Sequence, residues 1–286
     1  MIIANRKEEI ISAGTFYGLK EYQINFCVFV ENEVGFNGLD VLEVGGHLPK
    51  EFVLDILKVN SWIALEEPEY WRQSGGIEIE VAQSTFSTCQ ISQAEKYVVL
   101  EEGIENLPST FYHQFDLVFS IAAFQHILRF GPALFSMFNS LRTNGRLLSG
   151  IGPIWGCSQG HLLRPVLDSI GREIHCSSGF IPPWGHLVWS PAEFHLEMCK
   201  RTDRRSAGEI AYEVFSSNRL NRFFLQDYID YISQSPFRES LNTNLNPIAF
   251  VIQESIPNPM EEFLRGKYPG YKDFNITNFT LSLERV

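Results

Sequence analysis

Glu43, Gly45, Gly46 and Glu66 are the residues whose types and spacing invite chemistry. They sit in "DVLEVGGHLP" (residues 40–49) and "SWIALEE" (61–67), two short apolar runs that end in groups able to meet a ligand. Glycine lets a backbone approach a ligand closely. An acid about 20 residues beyond such a turn is placed where strand ends meet ribose hydroxyls. A dinucleotide would require G-x-G-x-x-G, with a helix N-terminus facing its pyrophosphate. "GGHLPK" has no third glycine, so that phosphate cradle is missing. The set suits a ligand that carries a ribose and positive charge but no phosphate, with Glu43 as a nearby counter-charge.

A second group of residues could act on an acceptor. "PIWGCSQGHLLRP" and "GFIPPWGHLVWSPAEF" contain His161 and His186 beside glycines and among Trp155, Trp184 and Trp189. Imidazole is the side chain whose ordinary pKa suits a base near neutral pH. Pro182-Pro183 would present Trp184 as a flat stacking surface for a sugar ring or an aromatic acceptor. His186 follows that stiff segment, so it is the expected base or acceptor orienter, with His161 assisting and Trp155 and Trp184 against the substrate. The plainer reading is that these rings pack the segment onto its neighbours. His126, in "AAFQHI", is expected near the substrate or in local packing. Cys157/His161 and His195/Cys199 have C-x3-H and H-x3-C spacing, outside the common zinc patterns. No metal site is expected.

These residues need elements to hold them. Strands are expected at Asp40–Val44, "SWIALEE", "KYVVLEE", "FDLVFSIAAF" and "RLLSGIG". "FDLVFSIAAF" is nearly all apolar, as a strand covered on both faces should be. Helices are expected in "KEYQINFCVFVENEVGF", in "LPKEFVLDILKV" with Phe52, Ile56 and Val59 at helical spacing, and in "GPALFSMFNSLRTNGR" with Asn144-Gly145 as a stop signal. "GGIEIEVAQSTF" alternates like a strand and is left unassigned. Strand-helix alternation over 40–152 implies a parallel sheet with right-handed crossovers. The expected organisation is one domain: an N-terminal helical segment (1–38), a ligand-binding half (39–152), a Pro-, Trp- and His-rich cap over the sheet's carboxyl edge (153–198), and a return to the sheet (199–286). That return holds a helix in "NRFFLQDYIDYISQSPF" and strands in "NPIAFVIQES" and "NFTLSLERV".

Composition narrows the partners. The chain has 286 residues, 44% of them hydrophobic, with 23 Phe, enough for a sizeable core. Thirty-four acids against 23 Lys and Arg give a net charge of −11. That balance disfavours nucleic acid and anionic membrane surfaces as partners; a small molecule is the expected one, and a protein acceptor stays open. No apolar window is long enough to span a membrane. "MIIANRKEEIISAG" turns polar where a signal peptide would be apolar, and the five scattered cysteines fit reduced thiols, so a cytoplasmic location is expected.

On these residues the chain resembles the class I S-adenosylmethionine-dependent methyltransferases, across 38–152 and again over 216–286. "VLEVGG" is similar to the family's E-x-G-x-G motif, with Glu43 and Gly45 as its acid and first glycine; His47 stands where the family has another glycine. "WIALEEPEYW" resembles the second motif, whose acid is Glu66. The resemblance implies a Rossmann-like, mostly parallel seven-stranded sheet with helices on both faces, and an antiparallel edge strand formed by the closing "ITNFTLSLERV". It implies that Glu102, Gly103 and Ile104 flank an adenine and that Ser120 lies near the methionine end. S-adenosylmethionine would be the cofactor, and O-methylation of a sugar or natural-product hydroxyl the expected reaction. A second reading stays open, suggested by His47: a non-catalytic S-adenosylmethionine-binding protein with this fold.

Overall fold

A computed structural model of the protein describes residues 2–67, 96–242 and 248–286. The alternating "GGIEIEVAQSTF" lies outside the described residues. Among the described residues no helix is long and apolar enough to cross a membrane.

The main sheet has seven strands: β1 (Asp40–Val44), β2 (Ser61–Glu66), β3 (Tyr97–Glu101), β4 (Phe115–Ile121), β5 (Leu141–Ile151), β8 (Ile248–Gln253) and β9 (Ile276–Glu284). Their order is β3-β2-β1-β4-β5-β9-β8. The first five are mutually parallel. β9 runs antiparallel to both β5 and β8. The final strand is therefore set one place in from the edge, and β8 forms the edge itself. Two short strands, β6 (Val166–Leu167) and β7 (Glu173–Ile174), pair separately.

The alternation of strand side chains sends successive residues to opposite faces. Leu42, Val44, Ile63, Leu65 and Val118 enter one core, together with α3 (Phe130–Ser140) and α6 (Leu225–Ser233). Val41, Trp62, Ala64, Leu117 and Phe119 enter a second core, under α1 (Ile2–Phe16) and α2 (Glu21–Glu33). Both faces are thus covered, as the near-continuous apolar runs require. In the second core Phe119 packs against Phe26, Phe36 and Trp62 with ring centroids 5.3–5.9 Å apart.

Two local elements differ from the sequence expectation. The connection from β1 to β2 is a short, wide-wound helical turn at Phe52–Ile56, in which the Leu57 N–H reaches back to the Phe52 carbonyl. The widening turns Phe52, Val53 and Leu57 all inward. Next, α3 stops at Ser140, and Leu141 already pairs with Phe115 in the sheet. Asn144-Gly145 is not the helix stop. Asn144 has φ +65° and donates its N–H to the Arg285 carbonyl, forming a kink inside β5 where the chain's end docks.

Residues 153–198 contribute to a third core, which they share with later residues. Trp155, Leu163, Ile174, Trp184, Phe194 and Met198 pack with Ile210, Val214, Phe224, Leu264 and Phe274. A boundary at 198 would cut through α4 (Pro191–Cys199), which pairs with α5 (Arg204–Phe215). The insertion therefore continues through α5 and also leans on α7 (Asn258–Lys267).

Phe119 is fully buried among three aromatic rings. Phe119→Ala is expected to lower the unfolding free energy by about 3–5 kcal/mol, read as a lower urea midpoint with an unchanged slope. A loss below about 1 kcal/mol would mean that this core repacks and does not fix the sheet.

Candidate functional site

The strand order reverses between β2-β1 and β4-β5, so connections leave β1 and β4 in opposite directions and open a crevice at their carboxyl ends. A cavity of about 290 Å³ occupies this crevice, close to the lower end of ordinary small-molecule sites. The ends of β1, β2 and β3 supply one wall: Gly45, Glu66, Glu67, Glu102, Gly103, Ile104 and Glu105. The turn after β4 and the loop before α6 supply the other: Ala122, Ala123, His126, Arg129, Asn218 and Arg219.

Gly45 makes the crevice possible. Its φ of +74° is a left-handed conformation that side chains disfavour. A Cβ there would lie 2.3 Å from the Ala123 Cβ. The two strand ends approach so closely that only glycine fits between them.

Glu43 anchors the turn from beneath. It is 3% exposed, and one carboxylate oxygen accepts from the Leu48 N–H at 2.9 Å and from the Trp62 Nε1–H at 2.7 Å. Burial pushes its carboxyl up to about 7 against the pull of these two donors. The expectation that Glu43 faces the ligand's positive charge is not met, because the side chain is spent inside the loop and does not line the cavity. Gly46 also lies outside the lining. At φ +147° its missing Cβ would be 3.4 Å from Glu43 Oε1, so it serves the same latch. Ser120 donates to the Val44 carbonyl at 2.8 Å, fully buried, and ties β4 to β1. These three expected cofactor residues are structural supports of the site.

Glu66 does line the cavity, and His47 meets it. The imidazole Nδ1 lies 2.7 Å from Glu66 Oε1. The contact with Glu66 raises the histidine above its ordinary pKa against partial burial. His47 thus stands on Glu66, in the position where the resemblance implies a bare glycine. Gly103 leaves room for two more acids: a Cβ there would lie 2.8 Å from Glu67 Oε2 and 3.1 Å from Glu105 Oε2.

His126 lines the opposite wall. Its Nδ1–H donates to the Arg219 carbonyl at 2.7 Å. Burial, with the nearby Arg219 charge, pulls the imidazole down to about 4, so it is neutral at physiological pH.

The predicted catalytic pair lies elsewhere. His161 and His186 are each 1% exposed, stacked edge-to-face 5.4 Å apart beside Trp155 in the third core. The His186 Nε2–H donates to the Trp155 carbonyl, and burial lowers His186 to about 3 and His161 to about 4. Trp184 Nε1 donates to the Phe274 carbonyl. None of the four lines the cavity. The glycines that suggested ligand approach serve packing. A Cβ at Gly160 would lie 2.3 Å from the Ile154 carbonyl oxygen, and one at Gly185 would lie 2.9 Å from the Trp189 ring.

Sequence reasoning missed Glu105, Arg129, Asn218 and Arg219 as wall residues. For Arg129 the available signal is its place just after His126 in "HILRF". No local pattern brings "SNRLNR" (217–222) across to that turn. Asn221 does so in the fold, donating to the Phe124 and Ile127 carbonyls.

Neither a protein-family model nor a curated protein sequence matches the chain. The structure is similar to an S-adenosylmethionine-dependent methyltransferase from Mesorhizobium loti, with 9% identity, 91% of this chain and 98% of that one covered, and a TM-score of 0.41. It is also similar to geranyl diphosphate C-methyltransferase from Streptomyces coelicolor A3(2), with 8% identity, coverage of 90% and 74%, and a TM-score of 0.42. A third likeness is to 1,6-didemethyltoxoflavin-N1-methyltransferase from Burkholderia thailandensis, with 9% identity, coverage of 99% and 86%, and a TM-score of 0.41. Likenesses this distant carry no argument about function.

The His47–Glu66 contact makes a signed prediction. His47 binds its proton more tightly in the folded chain, so its stabilisation is complete below the ordinary imidazole pKa and is lost as pH rises through the raised value. The unfolding free energy of the wild type minus that of His47→Asn should therefore shrink between pH 6 and pH 9. A difference that stays flat across this window would rule out a charged pair.

Proposed function

We propose that the protein is an S-adenosylmethionine-dependent methyltransferase acting on a small molecule. The observation that carries this reading is the makeup of the cleft: a glycine turn at the sheet's switch point, acids at the ends of β2 and β3, and no cradle for phosphate. A ribose and the cationic sulfonium and ammonium groups fit that wall, whereas a pyrophosphate lying against it would be repelled by Glu66, Glu67, Glu102 and Glu105.

In this reading Glu66 accepts hydrogen bonds from the ribose hydroxyls, and Glu102, Gly103 and Ile104 border the adenine, with Ile104 as its apolar contact. Gly45 and Ala123, packed against each other, form the small-residue floor on which the methionine end would lie. The bound cofactor supplies an electrophilic methyl group on its sulfonium. The chain's own part is to position an acceptor for in-line attack and to exclude water. His126, not His186, is the imidazole on the cleft. With Nδ1–H held by the Arg219 carbonyl, its other nitrogen carries the lone pair and can accept a hydrogen bond from an acceptor hydroxyl as the oxygen attacks. A sugar or natural-product hydroxyl is the acceptor we favour.

A second reading has its own observation. Because His47 already engages Glu66, a cofactor must compete for that carboxylate or share it, which suits a binding protein without turnover. Methyl transfer from labelled S-adenosylmethionine to any hydroxyl acceptor separates the two.

Glu66→Ala should weaken S-adenosylhomocysteine binding, measured by calorimetry, at least about tenfold, because charge-assisted hydrogen bonds are worth about 1.5–3 kcal/mol each. Unchanged affinity would remove Glu66 from the cofactor site. His186→Ala should lower the thermal midpoint while leaving that affinity alone. A turnover loss in His186→Ala at unchanged stability would restore it as a functional residue.

A further inference from the structure

The cleft divides its charges. Glu66, Glu67, Glu102 and Glu105 form one wall, and Arg129 and Arg219 stand on the other. In a chain of net charge −11, two guanidinium groups on one small cavity run against the overall field. A cofactor held by the acidic wall leaves this basic wall to face whatever shares the cavity.

The two arginines are placed by different means. Arg129 is exposed at the start of α3, and its side chain makes no ion pair among the described residues. Arg219 is held from behind: its Nη1 lies 3.5 Å from Glu213, a buried acid outside the cavity lining that Arg164 also meets at 2.8 Å. The loop that carries Arg219 is clamped at several points. Arg222 donates to the Ser217, Leu220 and Val214 carbonyls, Asn221 donates to Phe124 and Ile127, and His126 grips the Arg219 carbonyl itself. Asn218, beside Arg219 on the cavity, adds an amide donor. Fixing donors before binding reduces the ordering cost of association, and guanidinium forks match planar or tetrahedral oxyanions.

We propose that Arg129 and Arg219, with Asn218, form a recognition site for an anionic oxygen group, a carboxylate, phosphate or sulfate, carried by the methyl acceptor. This rests on the reading of the acidic wall as the cofactor side. The same chemistry could come from the cofactor's own methionine carboxylate, and the test separates the two sources.

The probe is sodium sulfate, titrated into ¹⁵N-labelled full-length protein while the Arg Nε–H and Asn218 amide signals are followed. Sulfate is expected to shift Arg129, Arg219 and Asn218. Arg129→Gln, at an exposed position, should weaken that response about tenfold or more by removing a charge-assisted pair. Arg219→Lys, which keeps the charge next to Glu213 but loses the fork, should weaken it as well. The titration is repeated with saturating S-adenosylhomocysteine. Sulfate bound alongside it supports the acceptor site. Expulsion of sulfate assigns the arginines to the cofactor carboxylate and overturns the proposal, as does the absence of any shift at the arginines. Failure of S-adenosylhomocysteine to bind would overturn the cofactor reading and the acceptor assignment with it, a result distinguishable because the sulfate shifts would persist.

Discussion

The site depends on one buried carboxylate. Glu43 lies near the carboxyl end of β1, an interior strand, and is buried where an isolated charge is costly. Two donors compensate it: the Leu48 N–H from the far end of the glycine turn and the indole N–H of Trp62 from the adjacent strand. One side chain thus fixes three things at once. It closes the turn at Gly45-Gly46, sets β2 beside β1, and through Trp62 ties the turn to the aromatic core around Phe119. With the turn closed, His47 lies against Glu66. The acid of the E-x-G pattern is therefore better understood as the fastener of the loop than as a group that meets the ligand.

The sheet and half of the cleft were legible in the sequence because their determinants are local. β1 was expected at Asp40–Val44 and is found there. The acids at the ends of β2 and β3 follow directly from where apolar runs stop. The helix after β4 was misjudged by four residues, because Asn144-Gly145 is equally good chemistry for a helix stop and for a kink in a strand. Only the partner strand, where Arg285 returns to pair with the kink, decides between them.

The acceptor side was not legible, for two physical reasons. A histidine flanked by glycine and tryptophan reads identically whether the glycine admits a ligand or another piece of backbone. At His161 and His186 it admits backbone or a ring, and the histidines end as neutral core residues. The second reason is distance along the chain. Arg219 stands nearly a hundred residues beyond His126, and the bond between them passes through a backbone carbonyl, which carries no sequence signature.

That carbonyl bond also connects the two halves of the chemistry. His126 takes its tautomer from the loop that carries Arg219, while burial, aided by the arginine's charge, keeps the imidazole neutral. A loop that shifted to accommodate a larger acceptor would move the arginine and release the histidine's tautomer at once. The third core stands behind this loop: Val214 and Phe224 flank it and are buried among the residues contributed by the insertion. The Trp- and His-rich segment, which supplies no side chain to the cavity, therefore reaches the site by holding residues 216–224 in place. Its two buried histidines then have a clear physical use. As neutral, shape-filling polar rings they satisfy the Trp155 carbonyl and the Leu163 N–H inside a core that must stay rigid beneath the cleft.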